Sequence, residues 1–160
     1  MGNIDISDAD IEIIDASNYI VSPGFIDIHS HLREPGYEYK ETIASGTRAA
    51  SKGGFTTICA MPTTIPALDS KDSIDYFQDL CKQRSIIKVH PIGAVTINRK
   101  GKEIVEMQSL ADSGVIGFSD DGEPIQDSNI MRMSLEYSKM VSRPIMNHCD
   151  DRGINYRAEG

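Results

Sequence analysis

Four histidines occur in the 160 residues, and two of them, His29 and His31, stand one residue apart at the end of an apolar run, FIDIHSH. On a β-strand successive side chains point to opposite faces. Asp27, His29 and His31 then share one face, and Ile26 and Ile28 take the other. Two imidazoles side by side at the C-terminal end of a strand can hold one metal ion between them. The pair alone reads equally well as two half-exposed loop histidines. Further along, Asp120-Asp121-Gly122 and His148 each follow a short apolar segment. Imidazole and carboxylate are the ligands zinc uses when one position stays open for water, and a carboxylate can also bridge two ions. Either aspartate can serve, and Asp-Asp-Gly is equally the composition of a plain turn. An isolated His148 reads as a buried ring with its nitrogens hydrogen-bonded. Taken together at strand ends, these positions make a metal site the better explanation.

Arg33 and Glu34 lie just beyond the histidine pair. A guanidinium placed there can clamp a substrate carboxylate with two parallel hydrogen bonds. The alternative is an Arg–Glu surface pair of little energetic weight. Pro35-Gly36 supplies a turn to hold the arginine over the strand ends. His90, in KVHPIG, has no evident partner and reads as structural.

The elements that must position these residues alternate along the chain. IEII and YIV, within residues 10–21, read as short strands broken by DASN, and Pro23-Gly24 leads into the histidine strand. Residues 41–52 read as a helix stopped by Gly53-Gly54. FTTICAM reads as a strand ending at Pro62. In the next helix Ile74, Phe77, Leu80 and Cys81 make one apolar face. IIKVHPIGAV is then a strand, EIVEMQSLAD a helix, VIGFS a short strand, 129–141 a helix and PIMNH a fifth strand. Such a series predicts an α/β protein with a parallel sheet. The first strand lacks a glycine-rich phosphate turn, and the chemistry sits at strand C-termini. Both favour a (β/α)₈ barrel over a doubly wound sheet. About five of its eight strands are accounted for.

The composition is that of an ordinary globular protein, with 39% hydrophobic and 25% charged residues. A net charge of −8 without a basic stripe argues against nucleic-acid and anionic-membrane partners. No apolar run approaches a membrane span, and the acidic start is unlike a signal peptide. Cys59, Cys81 and Cys149 are odd in number and lack CxxC spacing, which predicts neither a disulfide framework nor a cysteine zinc site, and a cytoplasmic setting.

The segments SPGFIDIHSHLREPGYEYKETIASGTRAASKGGFTT, AMPTT, GFSDDGEPIQD and NHCDD resemble the bacterial type I dihydroorotases of the amidohydrolase superfamily, almost from end to end. The resemblance implies a metal-dependent (β/α)₈ barrel that interconverts dihydroorotate and N-carbamoyl-L-aspartate in pyrimidine biosynthesis. It implies zinc, one or two ions, on His29, His31, Asp121 and His148, with His31 and Arg33 touching substrate. The family motif usually reads MPNT, its asparagine on the substrate, and Thr63 stands there in this chain. Residues 1–22 are then the remnant of a small β-sandwich and its entry strands. Residues 23–160 are the first part of the barrel, ending after the fifth strand. The family's sixth-strand histidine and its acid/base aspartate have no counterpart, so no catalytic residue is expected within this chain and the piece is expected to be inactive alone. Other expected features are a homo-oligomer and aspartate transcarbamoylase as a possible partner. The competing readings are another cyclic amidohydrolase, of allantoinase or hydantoinase type, and an inactive homologue serving as an assembly partner. The former usually carries a carboxylated lysine on the fourth strand, where this chain reads FSDDG.

Overall fold

The computed structural model describes residue 12 and residues 14–155. Three parallel strands hydrogen-bond in the order β1 (Phe25–Ser30), β2 (Phe55–Ala60), β3 (Lys88–Pro91). Helix α1 (Ile43–Lys52) joins the first two and α2 (Lys71–Arg84) the next two. After β3 come α3 (Met107–Asp112), α4 (Ser128–Met140) and the short α5 (Arg152–Asn155). The chain is therefore α/β with a parallel sheet.

Both long crossover helices begin on reciprocal caps. Thr42 Oγ1 accepts the Ser45 N–H while Ser45 Oγ accepts the Thr42 N–H, and Ser70 and Ser73 repeat the exchange at α2. Helix α1 ends where the glycine pair predicts, with Gly54 at φ +84°, a conformation that glycine adopts without a Cβ penalty. In α2 the predicted face, Ile74, Phe77, Leu80 and Cys81, is buried. Each fully buried side chain of this kind contributes roughly 1.5–3 kcal/mol. Alternate residues of β2 enter different clusters, as a period of two demands. Ile58 and Ala60 join the main core with Leu32, Phe77 and Phe118, while Cys59 and Met61 meet Ile92 and Met146 on the other face. Helices α1 and α2 lie over β2 and β3, and Ile26 and Ile28 on β1 remain exposed.

Several expectations are corrected. VIGFS and PIMNH form no extended strands. They continue the sheet through single parallel bridges, Phe118 pairing with Gly93 on one side and Ile145 on the other. Ser119 N–H donates to Gly93 O (2.8 Å), Phe118 N–H to Pro144 O (2.9 Å) and Met146 N–H to Phe118 O (2.8 Å). Pro144 has no N–H to extend the ladder, and a Cβ on Gly117 would stand 3.2 Å from the Pro144 carbonyl. The expected helix over 103–112 starts only at Met107. Left-handed Asn98, Arg99 and Gly101 reverse the chain, so Ile104 pairs antiparallel with Thr96. The strands expected within 10–21 lie partly outside the described residues. The described part, 14–21, is not a strand, and Tyr19 N–H makes a local turn bond to Ala16 O instead. A strand without a paired neighbour has no ladder to hold it. Among the described residues no helix is long and apolar enough to cross a membrane.

Candidate metal centre

The parallel register carries three strand ends to one point. Met61 N–H donates to Ser30 O (2.9 Å) and Ile92 N–H to Ala60 O (2.9 Å), so the segments after β1, β2 and β3 leave the sheet side by side. Asp121 follows the fourth segment in a turn closed by Glu123 N–H on Asp120 O (3.2 Å), with Gly122 at φ +74°. The Asp121 carboxylate is 6% exposed, and three imidazoles converge on it. His29 Nε2 lies 2.9 Å from Oδ1, His148 Nε2 lies 2.9 Å from the same oxygen, and His31 Nε2 lies 3.3 Å from Oδ2. Nδ1 of His31 is 2.9 Å from the hydroxyl of the buried Thr63. The His29, His31 and Asp121 donor atoms are mutually close enough to hold a metal ion. His148 meets the group through its contact with Asp121.

The two aspartates do different work. Asp120 is buried, and its oxygens accept Val95 N–H (2.8 Å), Thr96 N–H (3.0 Å) and the Thr96 hydroxyl. It stitches the loop after β3 to the fourth segment. Burial pushes its pKa above the usual carboxylate range despite those hydrogen bonds. Burial acts in the same direction on Asp121, but the hydrogen bond with His148 and the charges of His31 and His29 prevail and hold it below that range. Burial lowers His31, Arg33 and His29 add to the effect, and Asp121 opposes it. The lowered pKa favours the uncharged ring, the form that offers a lone pair to a metal.

Arg33 sits at φ +61° in a tight turn, with Glu34 N–H on Leu32 O (2.7 Å). The surface-pair alternative for Arg33 and Glu34 is corrected. Glu34 is buried, accepts Ile43 N–H (2.7 Å) at the start of α1 and pairs with Arg84. Among the described residues no carboxylate pairs with Arg33, which lines a 410 Å³ cleft together with His29, His31, Thr63 and Asp121. His90 is not part of that cleft. Lys40, Tyr37 and Arg99 also line it, and sequence reasoning missed all three. Lys40 Nζ lies 5.2 Å from the Tyr37 ring centre, and Arg99 Nη1 donates to Asp121 O (2.8 Å). They come from loops, where no periodicity reports which way a side chain is carried. The run of turn residues around Arg99 was the available signal.

Parallel strands that deliver imidazoles and one buried carboxylate to a common point define a β/α protein with a His/Asp group able to hold a metal. The model of the family described as "Dihydro-orotase-like" matches residues 18–158, and the chain belongs to that family. It is 49% identical over 145 residues to the dihydroorotase of Aquifex aeolicus, covering 91% of this chain and 34% of the relative. Against the dihydroorotase of Caldanaerobacter subterraneus subsp. tengcongensis the identity is 46% over 153 residues, covering 96% and 35%. The chain thus spans about a third of the length of these curated relatives. Among solved structures, the L-hydantoinase (dihydropyrimidinase) from Arthrobacter aurescens superposes with a TM-score of 0.77 at 21% identity, over 94% of this chain and 37% of that one, a likeness of fold.

Proposed function

We propose that this chain carries the metal-binding and carboxylate-binding part of a dihydroorotase, an enzyme that reversibly hydrolyses dihydroorotate to N-carbamoyl-L-aspartate in pyrimidine biosynthesis. In this reading residues 23–160 are the opening five β/α units of a (β/α)₈ barrel, preceded at 1–22 by the remnant of a β-sandwich. The observation that carries it is the convergence of three Nε2 atoms on Asp121 in the same cleft as Arg33, with which no carboxylate among the described residues pairs.

The donor set suits zinc, since imidazole nitrogen and carboxylate oxygen are its usual oxygen and nitrogen ligands. His29, His31 and Asp121 present donor atoms close enough together to share an ion, and His148 adjoins them through Asp121. His29, His31, Asp121 and His148 would hold the metal, as one or two ions. Zinc there would supply a hydroxide near neutral pH and polarise the amide carbonyl.

The chain's own residues do the rest of what is assigned here. Arg33 offers its fork to the substrate carboxylate, and its left-handed turn, anchored through Glu34 to α1 and α2, fixes where that fork points. His31 and Thr63 line the same cleft and face the substrate. No residue of this chain is assigned the proton transfer to the departing ring nitrogen. The reading extends to a cytoplasmic protein, with self-association and aspartate transcarbamoylase as the partners to test.

Titration calorimetry of the zinc-loaded chain with dihydroorotate and with N-carbamoyl-L-aspartate tests it. Saturable binding is expected for both, with zinc lost in His29→Ala and ligand binding weakened at constant zinc in Arg33→Lys. A chain that takes up zinc and binds neither molecule refutes the substrate assignment, and one that takes up no zinc refutes the metal.

A further inference from the structure

The four-residue stretch after β2, Met61-Pro62-Thr63-Thr64, is buried throughout. It is pinned on both sides: Met61 N–H donates to Ser30 O (2.9 Å), Ile65 N–H to Pro35 O (2.9 Å), and Thr64 Oγ1 to Pro66 O (2.7 Å). This fixes Thr63 beside the end of β1, with its hydroxyl 2.9 Å from Nδ1 of His31. Among the described hydrogen bonds and ion pairs, His31 is the ring of the three with contacts at both nitrogens, a hydrogen bond with Thr63 at Nδ1 and a 3.3 Å ion-pair contact with Asp121 at Nε2. His29 and His148 show only Nε2 contacts, and they are the more exposed rings, at 45% and 46% against 30% for His31.

We infer that Thr63 is a positioning residue for the metal centre: its hydroxyl orients the His31 ring through Nδ1 and exchanges the donor role for the acceptor role when Nε2 turns to a metal. The exchange of roles applies to a ring with one proton in both arrangements. With Nε2 against the Asp121 carboxylate, the proton sits on Nε2 and the Thr63 hydroxyl donates to Nδ1. With Nε2 offering its lone pair to a metal, the proton sits on Nδ1 and donates to Thr63 Oγ1, the exchange running through water. A hydroxyl serves both states by rotating about one bond, because it has a proton and two lone pairs. A carboxamide at this position must turn end for end to do the same. Partners of a ligand's second ring nitrogen fix its tautomer and orientation, and their loss typically costs about 10–100-fold in metal affinity. The inference rests on the metal centre proposed above, and it also makes a claim about the metal-free ring that stands apart from it.

The test is nitrogen NMR of the chain labelled with ¹⁵N-histidine, near neutral pH, with and without zinc. His31 is assigned through His29→Gln, His90→Gln and His148→Gln. Metal-free wild type is expected to show His31 protonated at Nε2, with the Nδ1 resonance displaced by an accepted hydrogen bond. Zinc should move the proton to Nδ1, where it exchanges slowly with water. Thr63→Val should shift the metal-free Nδ1 resonance, remove the slow exchange and weaken zinc binding about tenfold or more, and Thr63→Ser should restore all three. Thr63→Ala carries the same expectations if the valine variant does not fold. An unchanged metal-free Nδ1 resonance in the variant, or zinc affinity within twofold of wild type, overturns the inference. If the wild-type chain takes up no zinc, the metal centre fails, and the metal-free spectra alone decide the role of Thr63.

Discussion

Substituting the adjacent aspartates one at a time should separate a metal ligand from a structural acceptor. Asp120→Ala leaves two buried N–H groups, of Val95 and Thr96, and the Thr96 hydroxyl without an acceptor. Each unsatisfied buried group costs about 1–3 kcal/mol. Relief from burying a carboxylate whose pKa is already pushed up offsets part of that, so the net loss is roughly 3–4 kcal/mol. With a urea dependence of about 1–3 kcal/mol per molar for small domains, the midpoint should fall by on the order of 2 M. Asp121→Ala leaves three rings that still reach water, so its stability cost should stay below about 1.5 kcal/mol. Its zinc content after dialysis should instead drop to a small fraction of wild type, because the carboxylate on which the rings converge is gone. Elemental analysis and urea unfolding of the metal-free chain read the two effects separately. Asp120→Asn keeps a carbonyl for the two N–H groups and should retain zinc with a cost of about 1–2 kcal/mol. Equal zinc loss in Asp120→Asn and Asp121→Ala, or the larger stability loss in Asp121→Ala, would refute the division of labour.

Arg33→Lys should weaken N-carbamoyl-L-aspartate binding at least tenfold in calorimetry while zinc content holds, since lysine lacks the bidentate fork. Glu34→Ala should cost about 3 kcal/mol in urea unfolding, because it strips the buried acceptor from Ile43 N–H and the partner from Arg84. Loss of ligand affinity should accompany it as the Arg33 turn loosens. Iodoacetamide followed by mass spectrometry should label exposed Cys149 first. Cys81, whose thiol burial pushes up to about 12, and buried Cys59 should react only when the chain unfolds. Fast labelling of Cys81 in the folded chain would contradict its burial on the α2 core face.

What the sequence made legible follows from which residues have a period. FIDIHSH declares its strand because an apolar run ends in two polar rings on one face, and the α2 face declares itself at helical spacing. The ends of the sheet were less readable, because the fourth and fifth segments owe their shortness to a proline without an N–H and a glycine pressed on its carbonyl, both facts of pairing rather than of pattern. Ile104 reads as helix until the left-handed residues before it turn it back onto Thr96. The choice between Asp120 and Asp121 was open from spacing alone. In the fold it becomes physical, since one carboxylate is filled by backbone donors and the other faces imidazoles.

The charge pattern shows how an acidic chain can still receive an acidic ligand. A net charge of −8 repels dicarboxylates at long range, but beyond about 8 Å physiological salt screens most of that field. Contact-range charges therefore decide binding, and three helix cations differ from those of the cleft. Lys71, Lys82 and Arg132 are matched by carboxylates one turn away on their own helices, at 2.6–2.8 Å. Arg33, Lys40 and Arg99 in the cleft have no such carboxylate among the described residues: Lys40 lies over tyrosine rings and Arg99 donates to carbonyls. A cation without a carboxylate partner interacts more strongly with an arriving carboxylate than one already neutralised, most of all at the half-buried Arg33 and Arg99. An ion on His29, His31 and Asp121 would add further positive charge at the same wall. The cleft thus presents Arg33, Lys40 and Arg99 without a carboxylate partner among the described residues, an arrangement that suits an anionic ligand, whereas Lys71, Lys82 and Arg132 are each matched within a turn.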